Sequence, residues 1–361
     1  MNFRRDIGTK FLPFLLFVLI ALGMPAFMAM QASPPQPSQP VANEATERVL
    51  RAQWRKLFDT QSFAELDSLA DRLRTQRLRF QGGGWQLHVL YTILSSVPQQ
   101  SDTDAAWNAQ IATLQHWISS VPSSPTPRIA LADTYLNFAW KARGSDFADA
   151  VRPEAWKLFA VRIREALRVL EDAEQVGRND PEWYNAMLSA TTAKSWDSAK
   201  TEDIVERSLS KEPGYFYIAR VQANNLLPKW YGEPGDTERF VAKFADRIGG
   251  IDGEATYFFV AEFLLTDGEK CVPCTPPNLS WQRIRRGYAA IEHLYGTNNF
   301  EKNAYALMAM LAKDRDTARQ AFLVIGDNWN PEVWETRRRF ESARMFPYLK
   351  PVPLARPKPA Q

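Results

Sequence analysis

From residue 62 to residue 334 the apolar residues of this chain recur at helical spacing, and no stretch alternates the way a half-buried strand does. Residues 153–176, PEAWKLFAVRIREALRVLEDAEQV, set the pattern. Proline opens them, where its missing N–H costs nothing and its fixed φ suits a first turn. The segment then continues for about six turns. SFAELDSLADRLR places Phe63, Leu66, Leu69, Ala70 and Leu73 on one face, behind Ser62 and Glu65 at capping-box spacing. DAAWNAQIATLQHWI does the same with Trp107, Ile111, Leu114, Trp117 and Ile118. These periods predict an all-α protein. At 361 residues, 45% of them hydrophobic, the chain is long enough for a large core or about two domains.

The helical segments come in pairs. DPEWYNAMLSATTAKSW (180–196) and EPGYFYIARVQANNLLPKW (212–230) each start on an acidic residue, a proline and then aromatics. Pro181 and Pro213 stand 32 residues apart, near the period of about 34 that marks tetratricopeptide (TPR) repeats. NAYALMAMLAKDRDTARQAFLVIGDNWNPEVW (303–334) reads as helix, short turn, helix, then a proline opening the next element. Within it, Ala318 and Phe322 have the spacing of a repeat's second helix, where a small residue admits the paired helix and a large one fills the gap. The expected architecture is a TPR-like helix-pair solenoid, an α-α superhelix, over residues 44–346. Such a fold names no activity.

Three stretches also carry a family likeness. LADTYLNFAWKARGSDFADAVRPEAWKLFAVRIREALRVLEDA (131–173), YFYIARVQANNLLPKWYGEPGDTERFVAKFAD (215–246) and FLVIGDNWNPEVWETRRRF (322–340) resemble a bacterial family carrying a domain of unknown function. The closest correspondences are Trp140-Lys141-Ala142-Arg143-Gly144, Trp156, and Leu227-Pro228-Lys229-Trp230 with Gly232. The likeness extends over about residues 60–346 and implies irregular TPR-type helices, with no reaction and no catalytic residue to carry over. After Trp230, where the family has a glycine-rich turn, this chain has Tyr231 and the insertion Glu-Pro-Gly-Asp.

The ends differ in kind from the body. A basic head, MNFRRDIGTK, precedes twenty uncharged residues, FLPFLLFVLIALGMPAFMAM (11–30), enough to span a bilayer as a helix. A basic head stays cytoplasmic, so everything after it is expected outside. Two readings stay open. One is a single-pass inner-membrane anchor over residues 1–32 with a periplasmic body; the other is a signal peptide whose cleavage leaves a periplasmic or secreted protein. Residues 33–43 read as a Pro-rich linker and 347–361 as a Pro-rich tail. The formal charge of +3 includes +2 from the head, so the rest carries no basic surface for nucleic acid.

Little in the sequence carries chemistry. The two cysteines, Cys271 and Cys274, sit in EKCVPCTPPN. Thr275 stands where a haem-attachment motif needs His, the histidines His88, His116 and His293 are scattered, and prolines follow where a redox dithiol has a helix. A disulfide closing a small loop is the expectation in an oxidising compartment, with an exchange-active pair as the alternative. No metal or cofactor is expected. Acidic pairs in loops, Glu233 with Asp236, Asp252 with Glu254 and Asp267 with Glu269, are turn and cap residues on the ordinary reading. They are also all that supports an exported carbohydrate-active or other hydrolytic enzyme. Nucleophile elbows, phosphate-cradling loops and dinucleotide fingerprints are absent.

The aromatics remain: 12 Trp, 11 Tyr and 21 Phe. Most belong between helices. Trp140, Arg143, Trp183, Tyr184, Tyr215, Tyr217, Lys229 and Trp230 are the candidates for lining a groove, the surface helical arrays use for partners. The expectation is therefore a non-enzymatic exported helical-repeat protein that binds a protein or peptide partner in the cell envelope.

Overall fold

The computed structural model describes residues 41–144, 150–268 and 278–348. These residues form α1 (Glu44–Asp59), α2 (Phe63–Gln76), α3 (Gln86–Leu94), α4 (Asp104–Ser120), α5 (Thr126–Arg143) and α6 (Pro153–Asp172). There follow α7 (Glu174–Gly177), α8 (Pro181–Lys194), α9 (Ser198–Lys211), α10 (Tyr217–Asn225), α11 (Asp236–Ile248) and α12 (Gly250–Gly268). The last are α13 (Trp281–Tyr295), α14 (Asn299–Leu311), α15 (Arg315–Ile325), α16 (Pro331–Trp334) and α17 (Arg337–Arg344). Extended pairing among the described residues is limited to two isolated bridges, Ala42 with Phe80 and Arg79 with Trp85.

Caps account for many of the boundaries. Asn43, Thr103, Asp180, Asp197, Ser280 and Asp314 each accept a first-turn amide, offsetting donors that a helix start leaves unpaired. Pro153, Pro181 and Pro331 open α6, α8 and α16. Gly249, at φ 73°, ends α11, and the next helix starts at once.

Packing follows chain order: α4 on α5, α5 on α6, α8 on α9, α11 on α12, α12 on α13 and α14 on α15. A second set of contacts skips the helix between: α3 on α5, α5 on α8, α8 on α10, α10 on α12 and α12 on α14. The described helices α3, α5, α8, α10, α12 and α14 thus form a continuous row of contacts, against which their chain neighbours pack. One contiguous core runs through both, from Trp54 to Ala343. Its fully buried side chains include Leu114, Trp117, Phe258 and Phe340. Each leucine- or phenylalanine-sized group removed from water contributes about 1.5–3 kcal/mol.

The segment between α2 and α3 is a loop that behaves as core. Arg77 leaves α2 at φ 53°, and Phe80 and Trp85 are buried at 2% and 1% exposure. Its polar backbone is met from distant elements, as a buried loop requires. Gln81 N–H donates to Ala42 O at 2.9 Å and Gly82 N–H to Gly296 O at 3.0 Å, while Asn298 Nδ2 donates to Gln81 O at 3.0 Å. Trp85 Nε1 donates to Gly214 O at 2.9 Å. The loop joins α2 and α3 to the turns before α10 and α14.

Several expectations need correction. Ser62 makes no side-chain cap; its hydroxyl pairs instead with Thr60 Oγ1 at 3.1 Å, and the capping box is at Asn298 and Glu301. Residues 212–230 do not form one helix. The turn at Glu212–Tyr215 closes on its own backbone, and the chain turns again at Leu226 ahead of Pro228, leaving only the nine residues of α10. The 153–176 helix breaks at Ala173 into α6 and α7. Among the described residues no helix is long and apolar enough to cross a membrane. Residues 11–30, Cys271, Cys274 and the tail from 349 lie outside the described residues.

Candidate functional site

The start of α8 organises a buried polar cluster. Asp180, the N-cap, accepts the Glu182 amide on Oδ1 at 2.9 Å. Its Oδ2 takes Arg74 Nε at 2.8 Å, Arg74 Nη2 at 2.6 Å and the Tyr91 hydroxyl at 2.6 Å. Asp180 is 1% exposed, and a pair so removed from water holds only if its remaining lone pairs are met, as here. Burial opposes the Arg74 charge, but Asp180 outweighs it and holds the guanidinium above its ordinary range. Burial and the same carboxylate push the Tyr91 hydroxyl well up.

Glu182 follows within the first turn of α8, equally buried. It accepts His88 Nδ1–H at 2.9 Å, Asn185 Nδ2 at 2.8 Å and the Tyr215 hydroxyl. Burial works against its charge, yet His88, Tyr215 and Asn185 together hold the carboxyl below its usual value. Tyr215, buried and facing that carboxylate, is raised well above the ordinary phenol. The His88 ring stacks on Tyr217, with centroids 3.6 Å apart and planes 20° from parallel. The Tyr217 hydroxyl accepts Trp85 N–H at 3.2 Å, which ties the buried loop to this cluster. His88 Nε2 has no hydrogen-bond partner among the described residues.

Asp133 completes the recess from α5. Part of its surface stays accessible, and among the described residues it makes no hydrogen bond or ion pair with protein. Burial, then the charges of Glu182 and Asp180, raise its carboxyl well above the usual range. The recess thus holds Asp133, Asp180 and Glu182 against Arg74 and His88. Among the described residues no group of three or more His, Cys, Asp or Glu is placed to hold a metal ion. Asp133, Asn137 and Trp140 lie at i, i+4 and i+7, one face of α5 leading from the recess to an exposed tryptophan.

A second polar cluster lies further along that row of helices, on α10, α12 and α14. Arg220 of α10 donates Nε to Phe259 O at 2.9 Å and Nη2 to Glu262 Oε2 at 3.1 Å, while Glu262 Oε1 has no partner. Glu301 of α14, also buried, receives the Asn298 amide at 3.0 Å. Burial, partly offset by Arg220, pushes Glu262 up to about 7, and burial with the Glu262 charge raises Glu301 well above its ordinary value.

The sequence candidates separate into two groups. Trp140, Arg143, Lys229 and Trp230 are on the surface or half-buried. Arg143 lies 5.7 Å from the Trp140 ring and 5.6 Å from the Trp156 ring. Trp183, Tyr184, Tyr215 and Tyr217 are buried and present no contact surface. Trp183 Nε1 donates to Leu170 O at 3.0 Å, so it joins α8 to α6 as a core residue. Of the loop acids, Asp236 accepts the Glu233 amide at 2.7 Å and pairs with Arg239 in a turn, and Glu254 pairs with Arg286 at 3.2 Å. The acids that do converge, Asp133, Asp180 and Glu182, sit on α5 and at the start of α8. Loop composition gives no sign of them. Their signal was an acidic residue on an otherwise apolar helix face, as in LADTYL.

Residues 50–198 match the family model described as a domain of unknown function (DUF4034). The matched stretch is narrower than the likeness suggested, ending at Ser198, the first residue of α9. It carries Arg74, His88, Tyr91, Asp133, Trp140, Arg143, Asp180 and Glu182, whereas Tyr215, Tyr217 and Arg220 lie beyond it. The DUF4034 match therefore contains most of the recess, and α10 closes it from outside. No curated protein and no solved structure matches the chain.

Proposed function

We propose that this chain is a non-enzymatic binding protein of the cell envelope, whose TPR-like array takes a protein or peptide partner along α5 and seats a cationic side chain beside Asp133. The observation that carries this reading is Asp133 itself, a half-buried residue whose carboxylate has no protein partner among the described residues and feels the charges of Glu182 and Asp180. A lysine or arginine brought there supplies the counter-charge the recess lacks, and restores Asp133 to its ionised form. Asn137 and Trp140, on the same helix face, extend the contact to an aromatic anchor of the kind interfaces use. The apolar segment at 11–30 supports an envelope location, as an anchor or as a cleaved signal.

Cross-linking in intact cells, followed by capture through a tag after Gln361, tests this. The reading expects a partner near stoichiometry whose cross-linked peptide contains Lys or Arg, lost with Asp133→Asn and with Trp140→Ala while both variants stay folded. Capture unchanged by Asp133→Asn contradicts it.

A hydrolytic reading has one specific observation behind it. Glu182 orients His88 through Nδ1 and leaves Nε2 available for proton transfer, as carboxylate–histidine pairs do in acid–base catalysis. Turnover of an ester or glycoside that vanishes with His88→Ala, in a folded variant, would favour this alternative.

A further inference from the structure

Away from the recess, a pocket of about 430 Å³ opens between α13, α14 and α15. That volume suits a small molecule. Tyr288 and Tyr305 line it, stacked with centroids 3.9 Å apart and planes within 4°. Burial raises Tyr288 to about 12; its hydroxyl, like that of an ordinary tyrosine, keeps its proton at neutral pH. Ala321 and Val324 supply an apolar wall.

The charges lining the pocket are unevenly committed. Asp316 is paired with Arg319 at 2.7 Å. Arg285 reaches the Tyr305 hydroxyl and stands 3.9 Å from Asp314, which leaves part of its fork of donors unspent. The Lys302 ammonium has no hydrogen-bond or ion-pair partner among the described residues, although the side chain is half-buried in the pocket wall. Glu292 sits exposed at the rim. Of the four charged residues lining the pocket, Arg285, Glu292 and Asp316 are exposed, and Lys302 is the half-buried one.

We infer that this pocket is a binding site for a small organic anion, with a carboxylate or phosphate held by Lys302 and Arg285 and its body against Tyr288 and Val324. A planar or ring-shaped body fits the aromatic and apolar lining. An ammonium and a guanidinium together supply the donors such a group accepts. The site stands apart from the recess at Asp133 and needs none of its residues.

Titration calorimetry of the purified full-length chain with glucuronate, glucose 6-phosphate and glucose tests the inference. At least one anion binds, and glucose binds at least about tenfold more weakly. Lys302→Met weakens the anion by roughly tenfold or more. Val324→Trp, placed at a side chain 67% exposed, blocks the mouth without disturbing the core and abolishes the signal. Asp133→Asn leaves the titration unchanged. Which anion binds more tightly distinguishes a carboxylate from a phosphate ligand. Equal binding of glucose, undiminished binding by Lys302→Met in a variant with unchanged melting, or no heat from either anion overturns the inference.

Discussion

The carboxylate of Glu301 fills the space a side chain at residue 82 would need: a Cβ on Gly82 would clash with Glu301 Oε2. Gly82 also lies at φ 88°, a conformation L side chains avoid. Two hydrogen bonds, from Gly82 N–H to Gly296 O and from Asn298 Nδ2 to Gln81 O, hold the loop in that position. A residue near the beginning of the body and one near its end are thus fitted to each other.

Gly82→Ala should therefore cost more than backbone strain alone. Gly250, at φ 55° with nothing within 4 Å of an added Cβ, is the control. Gly250→Ala should lose about 1–2 kcal/mol, and Gly82→Ala at least about 1–3 kcal/mol beyond that, because Glu301 must move. Urea denaturation of both variants measures the difference. Equal losses would show that the fit between residues 82 and 301 is loose.

The buried acids give stability a pH slope. Glu262 has a folded pKa of about 7 against an ordinary 4.5, and Glu301 is shifted the same way. The folded chain binds these protons more tightly than the unfolded chain does. Stability is therefore greatest at the acidic end of that window and falls as pH rises through it, by an amount on the order of 3 kcal/mol for Glu262. Glu262→Gln should flatten the fall in urea midpoint between about pH 5 and about pH 8. A variant with the same slope as the parent would assign the titration elsewhere.

Arg74 and Asp180 form a buried pair, and removing one partner strands the other. Arg74→Met should cost about 3–5 kcal/mol, since Asp180 stays 1% exposed with only Tyr91 and the Glu182 amide to meet its charge. Adding Asp180→Asn to that variant should recover part of the loss. A double variant as unstable as the sum of the singles would deny the coupling.

Trp183 and Trp140 make a matched contrast. Trp183→Ala should lose about 3–5 kcal/mol as a core tryptophan. Trp140 is 43% exposed, with its ring edge-on to Phe159 at 5.1 Å, and Trp140→Ala should lose about 1 kcal/mol or less. Thermal melts compare the two directly. Similar losses would mean that Trp140 belongs to the core.

The helices were largely legible, because period and punctuation agree locally. Pro153, Pro181 and Pro331 open the elements they were expected to open. Ala318 and Phe322 face the core, where Phe322 meets Trp334 and Phe340 at 5.8 Å. The capping-box expectation at Ser62 failed because Ser and Glu at that spacing also suit a turn, and Ser62 found Thr60. The loop at 78–85 was not legible at all. QGGGW has the composition of a surface turn, and its burial depends on partners more than a hundred residues away, at Gly214 and Gly296. The recess failed to show for the same reason. Asp133, His88 and Glu182 come from three helices, and only packing brings α3, α5 and α8 together. Aromatic residues drew attention in the sequence, yet Trp183, Tyr184, Tyr215 and Tyr217 are buried, since a large ring is as useful inside a helix pair as on its surface.

In the proposed binding mode, Asp133 is the counter-charge for a cation brought by a partner. The most direct test is a binding titration of the full-length chain with short extended peptides, one Lys-rich, one Gln-rich and one Glu-rich, at about pH 6 and about pH 8. Burial holds the Asp133 proton on well above the usual carboxylate range, so the Lys-rich peptide should bind more tightly at the higher pH. The Glu-rich peptide should not bind, and Asp133→Asn should remove both the preference and its pH dependence, at a cost of roughly tenfold or more in affinity. Equal affinity for the Lys-rich and Gln-rich peptides, or a Lys-rich peptide bound as tightly by Asp133→Asn, would contradict the account.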